Sequence, residues 1–136
     1  KPKGALYTAQ AAAKVMIKQN TGGSIINTAS MCAKIINRPQ KSSAYCISKG
    51  GLLQMTRAMA VEWSAYNIRV NSISPGYVYT NIIKGSPNVP IWESLVPMKR
   101  LAYADEIMGA LIYLASDASS YTTGCDIVID GGYTCW

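Results

Sequence analysis

Ser24-Ile25-Ile26-Asn27-Thr28-Ala29, and later Ile68-Arg69-Val70-Asn71-Ser72-Ile73, decide the fold. Both runs are short, apolar and β-branched, as in strands covered on both sides. Between them, Ser42–Tyr66 reads as a long helix. Leu52, Leu53, Met55, Met59, Ala60 and Trp63 recur at helical spacing, and Ser42 or Ser43 stands where a cap belongs. Upstream, the Ala-rich stretch Ala5–Gln19 sets Leu6, Ala9, Ala13, Met16 and Ile17 on one face and stops at Asn20-Thr21-Gly22-Gly23. Downstream, Pro75-Gly76 ends the second strand. Residues 77–98 are broken by Gly and Pro and read as a mobile loop with short helical pieces. Asp105–Ala115 reads as a third helix and Asp126-Ile127-Val128-Ile129 as a third strand.

Strands separated by helices of this length predict an α/β fold with a parallel sheet. Three strands make a thin sheet with an apolar edge left unpaired. The chain opens on Lys1 without an initiator Met. The expectation is therefore a fragment: residues 1–136 as a single partial domain of a larger fold. Gly50-Gly51, in the middle of the long helix, costs about 1 kcal/mol per residue against Ala and predicts a close approach of another backbone or a ligand.

The 136 residues are 49% hydrophobic and 15% charged, with a mean hydropathy of +0.10. That is a globular composition, and no apolar run approaches the roughly 20 residues of a membrane span. The net charge of +6 is lopsided. Every acidic residue lies beyond position 61, while nine of the 13 Lys and Arg lie before it. The basic residues are scattered singly and no nucleic-acid motif accompanies them, so a solvated face is favoured over nucleic-acid binding. The four cysteines show no CxxC spacing and the chain has no His. That argues against a zinc site, removes Ser-His and Cys-His nucleophiles, and suits reduced thiols in a cytoplasmic protein.

Acid–base chemistry near neutral pH must then come from Tyr, Lys, Cys or a carboxylate. Tyr45 and Lys49 stand at i and i+4, on one face of the long helix. An ammonium beside a phenol favours its ionised form, which suits it to proton exchange near neutral pH. Ser30, at the end of the first strand, can hydrogen-bond a reacting oxygen. Alone, the Tyr/Lys pair carries nothing: chance supplies about 0.6 such spacings in a chain of this composition.

The context changes that weight. Ile-Ile-Asn-Thr-Ala-Ser (25–30), Ser-Ala-Tyr-Cys-Ile-Ser-Lys-Gly (43–50), Ile-Arg-Val-Asn-Ser-Ile-Ser-Pro-Gly-Tyr-Val-Tyr-Thr (68–80) and Thr-Gly-Cys-Asp-Ile-Val-Ile-Asp-Gly-Gly (123–132) follow one another in order. This set resembles the C-terminal half of the short-chain dehydrogenase/reductase family, and the resemblance runs through essentially the whole chain. It implies the C-terminal portion of a Rossmann-like doubly wound sheet, with an N-terminal half missing. It implies Tyr45 as the proton donor and acceptor, Lys49 as the residue that tunes Tyr45 and holds the nicotinamide ribose, and Ser30 as the hydroxyl that orients the substrate oxygen. Pro75, Gly76, Val78 and Thr80 fall on the stretch bordering the nicotinamide, so the implied cofactor is NADP or NAD, with a lean to NADP. Asn71, Gly124, Asp130 and Gly131 fall on structural positions.

Asn37-Arg38-Pro39-Gln40 and the ending Thr123–Trp136 resemble fungal sorbose, mannitol and arabinitol dehydrogenases. The implied substrates are a sugar alcohol and its ketose. The family also implies a homo-oligomer, dimer or tetramer, through helices 5–19 and 42–66. Two departures stand out. Lys1 occupies the position where members carry an active-site Asn, and no GxxxGxG turn occurs among the eleven glycines. The rival expectation is therefore a truncated, non-catalytic remnant that acts only through subunit association.

Overall fold

The computed structural model describes residues 2–136. Helix α1 spans Pro2–Gln19, strand β1 Gly23–Thr28, helix α2 Ser43–Trp63 and strand β2 Ile68–Pro75. Helix α3 (Val89–Leu95), helix α4 (Met108–Ala115) and strand β3 (Asp126–Ile129) follow. The sheet order is β1-β2-β3 and both pairings are parallel. Gly23 lies opposite Ile68, Thr28 opposite Ile73, and Ser72 opposite Asp126.

Strand alternation divides the core between two faces. Ile25, Ile68 and Val70 pack against Ala9, Ala13, Met59 and Ala60 of α1 and α2. Ile26, Ile73, Ile127 and Ile129 turn the other way and pack against Leu114 of α4 and Ile107. The expected α/β organisation with flanking helices is present. Each strand ends at the same edge of the sheet, where ligands bind in open parallel α/β folds.

Toward that edge, the α2 face of the sheet turns polar. Asn27 donates to the Thr56 hydroxyl (2.9 Å), and Thr56 donates back to the Leu52 carbonyl (2.9 Å). Ser72 and Ser74, both fully buried, donate to the Asp126 carboxylate at 2.7 and 2.8 Å. Lys34 reaches the same carboxylate at 2.9 Å. Among the described residues, no buried side-chain polar atom lacks a partner, which is what makes polar interiors tolerable.

Several local expectations shift. α1 begins at Pro2, three residues before Ala5, because proline's fixed φ suits a first helical position. Ile17 is 36% exposed and leaves the packed face. Ser42 takes the N-cap position of α2 without a capping bond; its hydroxyl donates to Asn37 Oδ1 instead (3.1 Å). Within the described residues no backbone closes on Gly50-Gly51. A Cβ on Gly51 would meet nothing within 4 Å among the described residues, and one on Gly50 would sit 3.9 Å from the Ala33 carbonyl. Residues 77–98 carry α3, a short helical piece as expected, with Trp92 buried. Among the described residues, no helix is long and apolar enough to cross a membrane.

A surface pair gives a pH prediction. Arg100 binds Glu106 through two 2.7 Å hydrogen bonds, and Tyr103 N–H adds a third. The guanidinium bonds, then the backbone bond, lower the Glu106 carboxyl from 4.5 to about 2. A lowered folded-state value contributes stability that is present above 4.5 and is lost as pH falls through about 2. The pair is solvent-exposed, so the effect is small and screened. Glu106→Gln is expected to flatten the acid limb of the melting-temperature profile, and about 1 M salt should erase the difference.

Candidate active site

Ser30 stands two residues beyond β1 and is buried. Its hydroxyl oxygen accepts from Cys32 N–H (3.2 Å) and so caps the 3-10 turn Met31–Ala33. A hydroxyl that accepts one bond still has its own proton to donate. Tyr45 and Lys49 lie on the first two turns of α2. The Lys49 ammonium is 5.6 Å from the centre of the Tyr45 ring and donates to the Thr28 carbonyl at 2.6 Å. That bond fixes the cation at the C-terminal end of β1. Tyr45 is 38% exposed, so the phenol is open to an incoming molecule. The structure thus brings Tyr45 and Lys49 together at the end of the strand that leads into Ser30. Lys1, at the position of the family's active-site Asn, lies outside the described residues.

Pro75 closes β2 and Gly76 follows it. Gly76 N–H donates to the Ile129 carbonyl (2.9 Å), and a Cβ here would lie 2.7 Å from the Asp130 Cα. Only glycine lets the two backbones come this close. Gly76→Ala is expected to destabilise by about 1–3 kcal/mol, as overpacking does. A melting temperature within about 2 °C of the parent would contradict this packing account. Val78 forms an isolated parallel bridge with Ala102. The bridge uses Ala102 N–H to the Tyr77 carbonyl (3.0 Å) and Tyr79 N–H to the Ala102 carbonyl (2.7 Å). In a parallel ladder the bridged residue's own N–H and C=O point the opposite way. Those of Val78 are therefore turned away from Ala102, while its side chain packs into the α4 core. Thr80 is exposed, and its carbonyl accepts from Ile83 and Lys84.

These positions suit the nicotinamide half of a dinucleotide. An ammonium stands at the end of β1, and an outward-facing peptide follows the end of the neighbouring β2. The chain has no GxxxGxG turn of the kind that cradles a pyrophosphate.

The structural positions are also engaged. Asn71 is fully buried, donating to the Thr122 carbonyl (2.8 Å) and accepting from Cys125 N–H (3.0 Å). Asp130 accepts from Gly132 and Thr134 N–H. Gly131 has φ +64, and a Cβ there would be 2.7 Å from Val96.

Sequence reasoning missed one assembly beside the site. Trp92 of α3 donates to Gln40 Oε1 (3.1 Å), Gln40 donates to the Tyr77 hydroxyl (3.4 Å), and Tyr77 donates to the Arg38 carbonyl (3.0 Å). The Tyr77 ring stacks on Trp92 at 4.8 Å and meets Tyr133 edge-on at 5.6 Å. Burial, and then the neighbouring Tyr133, push the Tyr77 hydroxyl up to about 12. It therefore stays a neutral donor at physiological pH. The only signal in the sequence was a tryptophan inside a Pro-rich stretch.

With this geometry in view, the chain can be set beside known proteins. A family model described as "Enoyl-(Acyl carrier protein) reductase" matches residues 2–134. The chain belongs to the short-chain dehydrogenase/reductase family. It is 49% identical to a D-arabinitol 2-dehydrogenase (ribulose-forming) of Candida tropicalis, over 98% of this chain and 49% of that protein. It is 46% identical to an NADP-dependent mannitol dehydrogenase of Hypocrea jecorina, over 96% of this chain and 49% of that protein. A crystal structure of a short-chain type dehydrogenase/reductase from Mycobacterium marinum superposes with a TM-score of 0.92 at 52% identity, covering 95% of this chain and 51% of the other. The chain spans about half the length of the curated relatives it matches.

Proposed function

We propose that this chain carries the proton-transfer and nicotinamide-facing part of an NAD(P)-dependent oxidoreductase that interconverts a sugar alcohol and its ketose in the cytoplasm. The observation that carries this reading is Tyr45 paired with Lys49, whose ammonium is held on the Thr28 carbonyl at the end of β1. The polyol substrate class rests on the likeness to arabinitol and mannitol dehydrogenases.

Held by Lys49 and the stretch Pro75–Thr80, a nicotinamide would supply the hydride chemistry at the alcohol or ketone carbon. The protein moves the proton. In oxidation, the Tyr45 oxygen takes the proton from the substrate hydroxyl; in reduction it returns one to the nascent alkoxide. The Lys49 cation stabilises the negative charge that builds on the Tyr45 oxygen and holds the ribose hydroxyls of the cofactor. Ser30 donates its hydroxyl proton to the substrate oxygen and so orients it. Pro75, Gly76, Val78 and Thr80 would border the nicotinamide, Val78 contacting it through its outward backbone N–H and C=O and Thr80 reaching its carboxamide or the phosphates. In this reading residues 1–136 form one partial domain, and the adenine and pyrophosphate are held by chain that precedes it in the relatives.

The same reading makes the protein a homo-oligomer through α1 and α2. Tyr7, Val15, Ile47 and Val61 are each more than half exposed on those helices, an apolar surface of the kind that marks contact sites. The test joins the preceding half of the Candida tropicalis relative ahead of Pro2 and follows reduced-nicotinamide absorbance with arabinitol, mannitol and sorbose. Light scattering reports the assembly. Turnover of at least one of these sugars is expected; neither turnover nor dinucleotide binding in a folded chimera would overturn the reading.

A further inference from the structure

We propose that Cys32 and Cys46 form a reversible disulfide under peroxide, a modification site built between the turn that follows Ser30 and the helix that carries Tyr45. All four cysteines are reduced in this structure, but they are not alike. Cys125 and Cys135 are exposed. Cys32 is 4% exposed, inside the 3-10 turn whose cap is Ser30. Its side chain lies in the same packed cluster as that of Cys46. Cys46 sits on the first turn of α2, directly after Tyr45, and packs with Met31, Cys32, Val96 and Tyr133. Its sulfur lies 3.5 Å from the Ser42 hydroxyl. Two thiols from separate elements thus meet in one half-buried cluster.

The roles of the two sulfurs follow from their surroundings. Burial raises the Cys32 thiol and shields it from solvent, so peroxide reaches the half-buried Cys46 first. The Cys46 sulfur attacks one oxygen of hydrogen peroxide and breaks the O–O bond; one water leaves and the sulfenic acid forms. The Cys32 sulfur then attacks that sulfenic sulfur, and the second water carries off the hydroxyl oxygen with the thiol proton. The two thiols are oxidised by two electrons in total and peroxide is reduced to two waters. A small-molecule thiol restores both cysteines by exchange. The bridge would tie the turn that Ser30 caps to the helix turn of Tyr45. Its consequence for turnover rests on the proposed function; its formation rests on the shared cluster of the two thiols.

The test uses the 136-residue chain with Cys125→Ser and Cys135→Ser, treated with hydrogen peroxide in native buffer. The expected result is an intact mass lower by two hydrogen atoms. Trypsin should then yield the segments Gln19–Lys34 and Ser42–Lys49 joined, and dithiothreitol should separate them. Cys46→Ser, a change at a half-buried helix position, should abolish the bridge while the melting temperature stays near the parent's. Cys32→Ser should leave a sulfenic acid on Cys46 that dimedone traps. Oxygen addition without joined segments, or joining that occurs only in urea, would overturn the proposal. Because no readout uses catalysis, such a failure leaves the polyol reading standing.

Discussion

Tyr45→Phe is expected to abolish polyol turnover while leaving dinucleotide binding within about twofold of the parent. The substitution removes one oxygen and keeps the ring, so the contact with the Lys49 ammonium at 5.6 Å survives. What disappears is the oxygen proposed to exchange the proton. General acid–base contributions run to about 10²–10⁴-fold, and with no His in the chain there is no neighbouring imidazole to substitute. The measurement is kcat with an arabinitol or mannitol substrate, alongside fluorescence titration with NADPH and NADH, in the chimera described above. Undiminished kcat would remove Tyr45 from the chemistry. Lost binding with lost kcat would instead give it a cofactor-holding role.

Asn71→Ala should be the most damaging single change to the fold outside the hydrophobic clusters. Asn71 is 0% exposed and ties β2 to the turn before β3, donating to Thr122 and accepting from Cys125. Truncation leaves the Cys125 N–H without its partner, at about 1–3 kcal/mol, leaves the Thr122 carbonyl with Arg69 alone, and opens a cavity besides. A loss of about 2 kcal/mol or more is expected, which lowers the melting temperature by on the order of 7 °C for a chain of this size. Asn71→Asp keeps the acceptor for Cys125 but loses the donor to Thr122 and buries a charge, so it should do no better. Chemical denaturation of the three proteins checks the order. A loss below about 1 kcal/mol would mean that the turn finds its bonds elsewhere.

The elements were legible where one face of a segment was apolar throughout. Ile25-Ile26 and Ile68–Ile73 could only be strands, and the helix of Leu52, Met59 and Ala60 followed from spacing. Tyr45 and Lys49 were legible as neighbours because helical geometry alone puts them side by side. What was not legible depends on partners remote in sequence. Ser42 looked like a cap but bonds Asn37, whose position depends on a loop that the sequence leaves open. Gly50-Gly51 looked like a contact site, yet the sequence could not show that no other described residue of the chain stands over Gly51. The Lys34–Asp126 pair and the Trp92–Gln40 bond each join segments that meet only after the sheet has formed. For such pairs residue type carries no address.

The Trp92–Gln40–Tyr77–Arg38 chain has a consequence for anyone re-engineering this protein. Residues 79–98 look like a cassette that could be exchanged with that of a relative. The cassette nevertheless owns only half of its own fastening. The other half, Arg38 and Gln40, lies on the approach to Tyr45, and the hinge between the halves is Tyr77. A graft of 79–98 alone would bring a foreign aromatic or polar group against a native Gln40 and unsettle the run into α2. The transplantable unit is therefore split across the sequence, residues 37–42 together with 77–98, and the two pieces have to travel as one.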